Sequence, residues 1–176
     1  MAKLPLEELT IVLLKKGIAV DEFNCGDDDL NDFLKTDAFA YGDNELAQTY
    51  VALYQNTPVA FVSLCTDAIK LSKEEMEQEF GKEKPHPDYP AMKIARLAVA
   101  EAYKSSDVGT AMVKYAVGRA IEISESIGCR FVTTDAYESK AGFYEKCNFI
   151  RNQKDSSGQN VSMRLDLLPF KQAGKP

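Results

Sequence analysis

The stretch "YKSSDVGTAMVKYAVGRAIE", residues 103–122, runs from a short polar loop into a long helical pattern, with one glycine, Gly109, at the junction. Val108, Ala111, Met112, Tyr115, Ile123 and Ile127 recur at helical spacing. That spacing predicts a helix of about five turns with one buried face. The start of a helix carries unpaired N–H groups and a partial positive charge, and anions bind there when small residues let the backbone approach. Lys104, Ser105, Ser106, Val108, Gly109 and Thr110 can offer N–H groups, Lys104 adds a cation, and Ser105, Ser106 and Thr110 add hydroxyls. Asp107 works the other way. A carboxylate in the first turn suits the helix and repels a diphosphate. On these residues alone the loop reads as a capped helix start as readily as an anion cradle.

Working outward, "KIARLAVAEAY" (93–103) before the loop and "CRFVTTDAY" (129–137) after the helix read as strands of buried type. Two strands joined by a helix of that length run parallel or nearly so. "SKAGFYEKC" (139–147) reads as a short helix with Ser139 as its N-cap. "NFIRNQK" (148–154) and "VSMRLDLL" (161–168), separated by Ser156-Ser157-Gly158, read as a closing hairpin. Upstream, "LTIVLLKKGIAV" (9–20) suggests a first strand, and Leu30, Phe33, Leu34 and Ala38 recur at helical spacing within residues 24–46. "AQTYVALYQ" and "TPVAFVSLCTD" flank Asn56-Thr57-Pro58 as a hairpin. Residues 72–90 look like an insertion or long loop: Ser72 and Glu75 form a capping box for a brief exposed helix, then Pro85, Pro87 and Pro90 force irregular chain. The order predicts an α+β fold with a mixed, mostly antiparallel sheet and flanking helices, in a single domain spanning 1–176.

Composition narrows the class. The chain has 176 residues, 45% of them apolar, with a net charge of −6. No apolar run approaches the roughly 20 residues a membrane span needs, and the N-terminus shows no cleavage site of a secretory signal. A cytoplasmic protein is expected. The acidic balance argues against nucleic acid and mildly favours cationic partners such as amines. Four scattered cysteines and one histidine, His86, argue against a metal site.

In this order the chain resembles the GCN5-related N-acetyltransferases. "RLAVAEAYKSSDVGTAMV" is similar to that family's central strand, loop and pyrophosphate-binding helix, and "SKAGFYEKCNF" to its late signature helix. "FNCGDDDLNDFL" and "AQTYVAL" resemble the start of a branch that includes stand-alone acetyltransferases and the acetyltransferase toxins of toxin–antitoxin pairs. The family's loop pattern is arginine or glutamine, two residues, glycine, one residue, then glycine or alanine. Here those places hold Lys104, Asp107 and Gly109.

The resemblance implies a central strand pair that splays apart and acetyl-CoA as co-substrate. It implies direct attack by a primary amine of a small molecule or peptide. The diphosphate would be held by Lys104, Ser105, Ser106, Asp107, Val108, Gly109 and Thr110. Leu97, Ala98 and Val99 would meet acetyl and pantetheine through backbone groups, with Val99 N–H polarising the thioester carbonyl. Tyr144 would be the general acid, since a phenol of pKa about 10 stays protonated at neutral pH and can donate to a departing thiolate. Without the resemblance Tyr144 reads as a core aromatic, and if Phe143 packs inward Tyr144 is free to face the strands. Ser139 is placed either to touch the coenzyme or to cap its helix. Asp135, Glu101 and Glu45 stay open as the base, and Arg96 as an ion-pair partner. Two other readings stand beside the small-amine enzyme. One is a toxin acting on aminoacyl-tRNA and held by an antitoxin; the other is a degenerate domain kept as a binding module. A homodimer stays open.

Overall fold

The computed structural model describes residues 4–81, 88–153 and 159–173. His86, Pro85, Pro87 and the Ser156-Ser157-Gly158 turn lie outside the described residues. The elements run β1 (Thr10–Leu13), α1 (Asp28–Asp32), a π-helical segment (Phe33–Asp37), α2 (Ala38–Asp43), β2 (Gln48–Tyr54), β3 (Thr57–Ile69), α3 (Lys73–Phe80) and β4 (Tyr89–Val99). They continue through a 3-10 turn (Glu101–Tyr103), α4 (Val108–Ile123), β5 (Phe131–Tyr137), α5 (Glu138–Lys146), β6 (Ile150–Arg151), β7 (Asn160–Asp166) and α6 (Leu168–Ala173). The seven strands form one sheet in the order β1-β2-β3-β4-β5-β7-β6. This is the expected α+β architecture, a mostly antiparallel sheet with flanking helices. Among the described residues no helix is long and apolar enough to cross a membrane.

By contacts the chain divides into two compact units, Met1–Cys65 with Ile94–Ala116, and Thr66–Lys93 with Val117–Pro176. In the first, β1 and β2 pair antiparallel (Thr10↔Leu53), and so do β2 and β3 (Gln48↔Leu64), with an irregularity between Ala52 and Leu53. The β2–β3 turn is Gln55-Asn56, both left-handed (φ +49° and +63°), the two-residue hairpin geometry that matches strand twist. Thr57 and Pro58, read above as turn residues, belong to β3. Phe23, Phe33, Leu34, Val51, Phe61 and Ala98 form the core, and Phe23 meets Phe61 edge-on at 5.5 Å. Asp27 caps α1 by accepting the Leu30 N–H (3.1 Å), worth about 1 kcal/mol.

In the second unit, β5 and β7 pair antiparallel over seven residue pairs from Phe131↔Asp166 to Tyr137↔Asn160. The insertion is more ordered than its prolines suggested. Its helix α3 carries the expected capping box, Glu75 N–H to Ser72 Oγ (3.1 Å) and Ser72 N–H to Glu75 Oε2 (2.8 Å). It is not simply an exposed helix. Glu75 is buried, and its other oxygen accepts from the Gln153 N–H (2.9 Å) and from Arg164 Nη1 (2.7 Å). Phe80 stacks on Tyr89 (4.8 Å), beside Phe131. Pro90 lies within β4, at its exposed second residue, where a proline's missing N–H is tolerated at a strand start. The α6 helix was not read from the sequence. Asp166 Oδ1 accepts the Leu168 N–H (2.8 Å) at its start, and Lys171 donates to Ser124 Oγ (2.8 Å).

Candidate active site

The coenzyme-side residues lie in the first unit. Ala98 is buried, Leu97 and Val99 are half-buried at the end of β4, and the Ala100 N–H donates to the Val59 carbonyl (2.9 Å). The loop then turns through two left-handed non-glycine residues, Ser105 (φ +72°) and Asp107 (φ +61°). Short polar residues tolerate this region best after glycine, and Asp107 occupies it at the place where the family pattern has glycine. Interspersed left-handed residues turn successive N–H groups to one side, the anion-binding concavity called a nest. Below it, fully buried Val108 and Met112 anchor α4, each contributing roughly 1.5–3 kcal/mol of burial. The Ala111 N–H donates to the Asp107 carbonyl (2.9 Å), so the amides of Val108, Gly109 and Thr110 belong to the first turn, which has no intrahelical acceptors. Ser106 differs from its neighbours. It is buried, and both its amide (3.3 Å) and its hydroxyl donate to the Tyr103 carbonyl, so it shapes the loop from within. Lys104, Ser105 and Asp107 are exposed.

Tyr144 lies in the second unit. It is only 7% exposed, while Phe143 is half-buried, the reverse of the orientation considered from sequence. Its ring meets Phe143 at 5.0 Å and Phe149 at 5.4 Å. Burial pushes its phenol above the ordinary value of 10.0, partly offset by a hydrogen bond with the Thr134 side chain that favours phenolate. Such a bond has Thr134 donating to the phenol oxygen, which leaves Tyr144's own proton available to another acceptor. Ser139 is exposed and does not cap α5; the N-cap position is Tyr137, with no side-chain cap bond.

The three base candidates separate. Glu45 is exposed on the turn after α2. Glu101 is exposed too, its side chain so close to Gly26 that a Cβ there would meet Oε1 at 2.7 Å. Asp135 pairs with Lys93 (2.5 Å) and lines a pocket of about 220 Å³ with Asp67, Lys93, Asn160 and Ser162. Sequence reading missed Asp67, Lys93 and Ser162, because they come together only when β3, β4, β5 and β7 are side by side. Arg96, expected in an ion pair, instead places its guanidinium 3.9 Å from the centre of the Phe33 ring and 5.7 Å from that of Tyr41.

Residues 45–151 match the family model for the acetyltransferase (GNAT) domain, and the chain belongs to that family. It is an acetyl-CoA-dependent N-acetyltransferase. Among curated proteins it is similar to a tRNA-acetylating toxin of Mycobacterium tuberculosis (strain ATCC 25618 / H37Rv), 24% identical over 131 residues, covering 74% of this chain and 77% of the toxin. Among solved structures it is similar to AtaT complexed with acetyl-methionyl-tRNAfMet (TM-score 0.82, 19% identity, 95% of this chain and 99% of that one). It is also similar to an AtaT toxin with a tyrosine-to-phenylalanine substitution, bound to the C-terminus of the antitoxin AtaR and acetyl-CoA (TM-score 0.76, 18% identity, 96% and 99%).

Proposed function

We propose that the chain transfers acetyl from acetyl-CoA to the α-amino group of an aminoacyl-tRNA, as a toxin restrained by a cognate antitoxin. The observation that carries the acceptor is the likeness to a tRNA-acetylating toxin across three quarters of the chain. An α-amino group is a primary amine, the nucleophile expected from the sequence. The chemistry is assigned to residues as follows. The nest of Lys104, Ser105, Ser106, Asp107, Val108, Gly109 and Thr110 receives the diphosphate, with Ser106 contributing as a brace. Leu97–Val99 main chain aligns pantetheine and acetyl, the Val99 N–H polarises the carbonyl, and Tyr144 protonates the departing sulfur. Ser139, freed from capping, is available to the coenzyme.

A net charge of −6 opposes a polyanion at long range, so RNA binding would rest on local cations such as Lys15 and Lys16, which line a cavity of about 420 Å³ beside α2. The same charge supports the second reading, a small amine acceptor. One assay separates them. Purified protein with labelled acetyl-CoA is expected to label methionyl-tRNA at its amino group; labelling of free polyamines and amino-acid amides but not of charged tRNA would overturn the tRNA reading. Thermal unfolding isolates the coenzyme half. Acetyl-CoA at about 100 times its dissociation constant is expected to add about 2.7 kcal/mol, roughly 5–10 °C for a chain of this size.

Asp107 makes a further prediction. Its carboxylate stands in the nest where the diphosphate would lie, and its left-handed backbone favours glycine. Asp107→Gly is expected to bind acetyl-CoA about tenfold tighter, the effect of removing one charge at a few ångströms in a partly solvated site, with stability unchanged or raised by up to about 1 kcal/mol. Calorimetric titration checks it, and equal or weaker binding would mean that Asp107 does not oppose the diphosphate.

A further inference from the structure

We infer that the pocket of Asp67, Lys93, Asp135, Asn160 and Ser162 receives the acceptor's ammonium group and that Asp135 takes its proton; this deepens the acetyl-transfer reading above. The charges in the pocket are one lysine against two aspartates, a net of minus one that a single ammonium neutralises. Every titratable group facing Asp135 is in that set: Asp67 from β3 and Lys93 from β4, while β7 contributes uncharged Asn160 and Ser162. The two carboxylates are not equivalent. Asp67 is committed, Oδ1 accepting the Ala68 N–H (2.9 Å) and Oδ2 the Thr133 hydroxyl (2.5 Å). Asp135 uses Oδ2 for Lys93 and, among the described residues, has no partner on Oδ1; its side chain is 42% exposed. Asn152 donates to Ser162 Oγ (2.9 Å), which fixes the pocket's β7 wall.

Strand alternation supplies the second half of the argument. Consecutive residues of β5 point to opposite faces. Thr134 bonds the Tyr144 phenol on one face, and Asp135 stands next to it on the other. A proton acceptor and a proton donor are thus held one residue apart on a single rigid strand. Amide formation needs that pairing. Asp135 Oδ1 takes a proton from the ammonium, and the freed nitrogen lone pair forms the C–N bond to the thioester carbonyl carbon. The C–S bond breaks with its electron pair on sulfur, and Tyr144 gives the phenol proton to that thiolate. The remaining surplus N–H proton leaves to water, and water reprotonates the phenolate.

The test measures coenzyme A thiol release from acetyl-CoA between pH 6 and 9.5, with methionine methyl ester and methionyl-tRNA as acceptors. For Asp135→Asn, kcat/KM is expected about tenfold below wild type at pH 6.5. The deficit should close to within twofold above pH 9, where the amine, of ordinary pKa near 8, arrives deprotonated. Acetyl-CoA-induced thermal stabilisation should not change. Lys93→Met should move the acid limb of the profile to higher pH, because Asp135 then loses its neighbouring cation. A deficit below twofold at pH 6.5, or one of equal size at every pH, overturns the inference. Acetylation of the ester but not of the tRNA sinks the tRNA reading and leaves this one standing; acetylation of neither acceptor sinks both.

Discussion

Tyr144→Phe is expected to lower turnover by about 10²–10³ while changing acetyl-CoA affinity less than twofold. General acid catalysis by a positioned side chain contributes about that factor, and the leaving group here is a thiolate that departs more readily once protonated. The buried setting of Tyr144 keeps the proton on it: desolvation raises the phenol above 10, so it remains a donor throughout the neutral range. The sign for stability follows. A group held neutral by burial stabilises the fold fully below its unfolded value of about 10, and that contribution is lost as pH rises beyond it. The phenylalanine variant should therefore lose less stability between pH 9 and 11 than wild type. At neutral pH it leaves the Thr134 hydroxyl without its partner, costing about 1 kcal/mol. Single-turnover measurement with pre-bound acetyl-CoA separates chemistry from binding; an unchanged rate removes Tyr144 from the mechanism.

Glu75→Gln is expected to destabilise the fold by about 3 kcal/mol, a drop in Tm of roughly 6–12 °C. Arg164 is 2% exposed, and Glu75 Oε1 lies 2.7 Å from its Nη1. Neutralising one partner leaves the other as a buried charge with reduced compensation. Glu79, 3.1 Å from Nη2, and the Asn152 amide oxygen, 2.7 Å from Nη1, keep the loss from the upper end of the range. Arg164 Nε has no partner among the described residues, so this network holds no slack. Replacing both members, Glu75→Leu with Arg164→Met, should recover most of the loss, since a buried ion pair exchanged for apolar groups is often close to neutral. Burial raises the Glu75 carboxyl, but bonds from the Ser72 and Gln153 amides and from Arg164 outweigh it and hold it below the usual 4.5. Its stabilisation is therefore present above pH 4.5 and fades as pH falls below that. Equal midpoints for the single variant and wild type would show that Arg164 is compensated without Glu75.

What could be read from the chain was local. The α4 periodicity, the buried strand "FVTTD", the α5 pattern and the Ser72–Glu75 cap all act within a few residues, where 3.6- and 2-residue periods and capping rules apply. The left-handed loop residues could have been anticipated from the glycine that the family keeps at the place of Asp107. Other features had no local signal. Arg164 and Glu75 are 89 positions apart, and Lys93 reaches Asp135 across 42. Arg96 suggested an ion pair because charge is visible in a sequence and an aromatic face above a strand is not. Ser139 failed as a cap because α5 begins one residue earlier than its hydroxyl suggested, at Glu138. The α6 helix escaped because "LPFKQA" is short and carries a proline, which a first helical turn accepts.

The π-helical segment Phe33–Asp37, where the Ala38 N–H reaches back five residues to the Phe33 carbonyl, amounts to one surplus residue threaded into a helix. Excising a residue there would restore uniform winding and swing everything downstream by roughly 100°. Tyr41 would then leave the guanidinium of Arg96, and the cation would keep only Phe33 for company. A one-residue indel, harmless in most helices, would here unseat a side chain on the strand that carries Leu97, Ala98 and Val99.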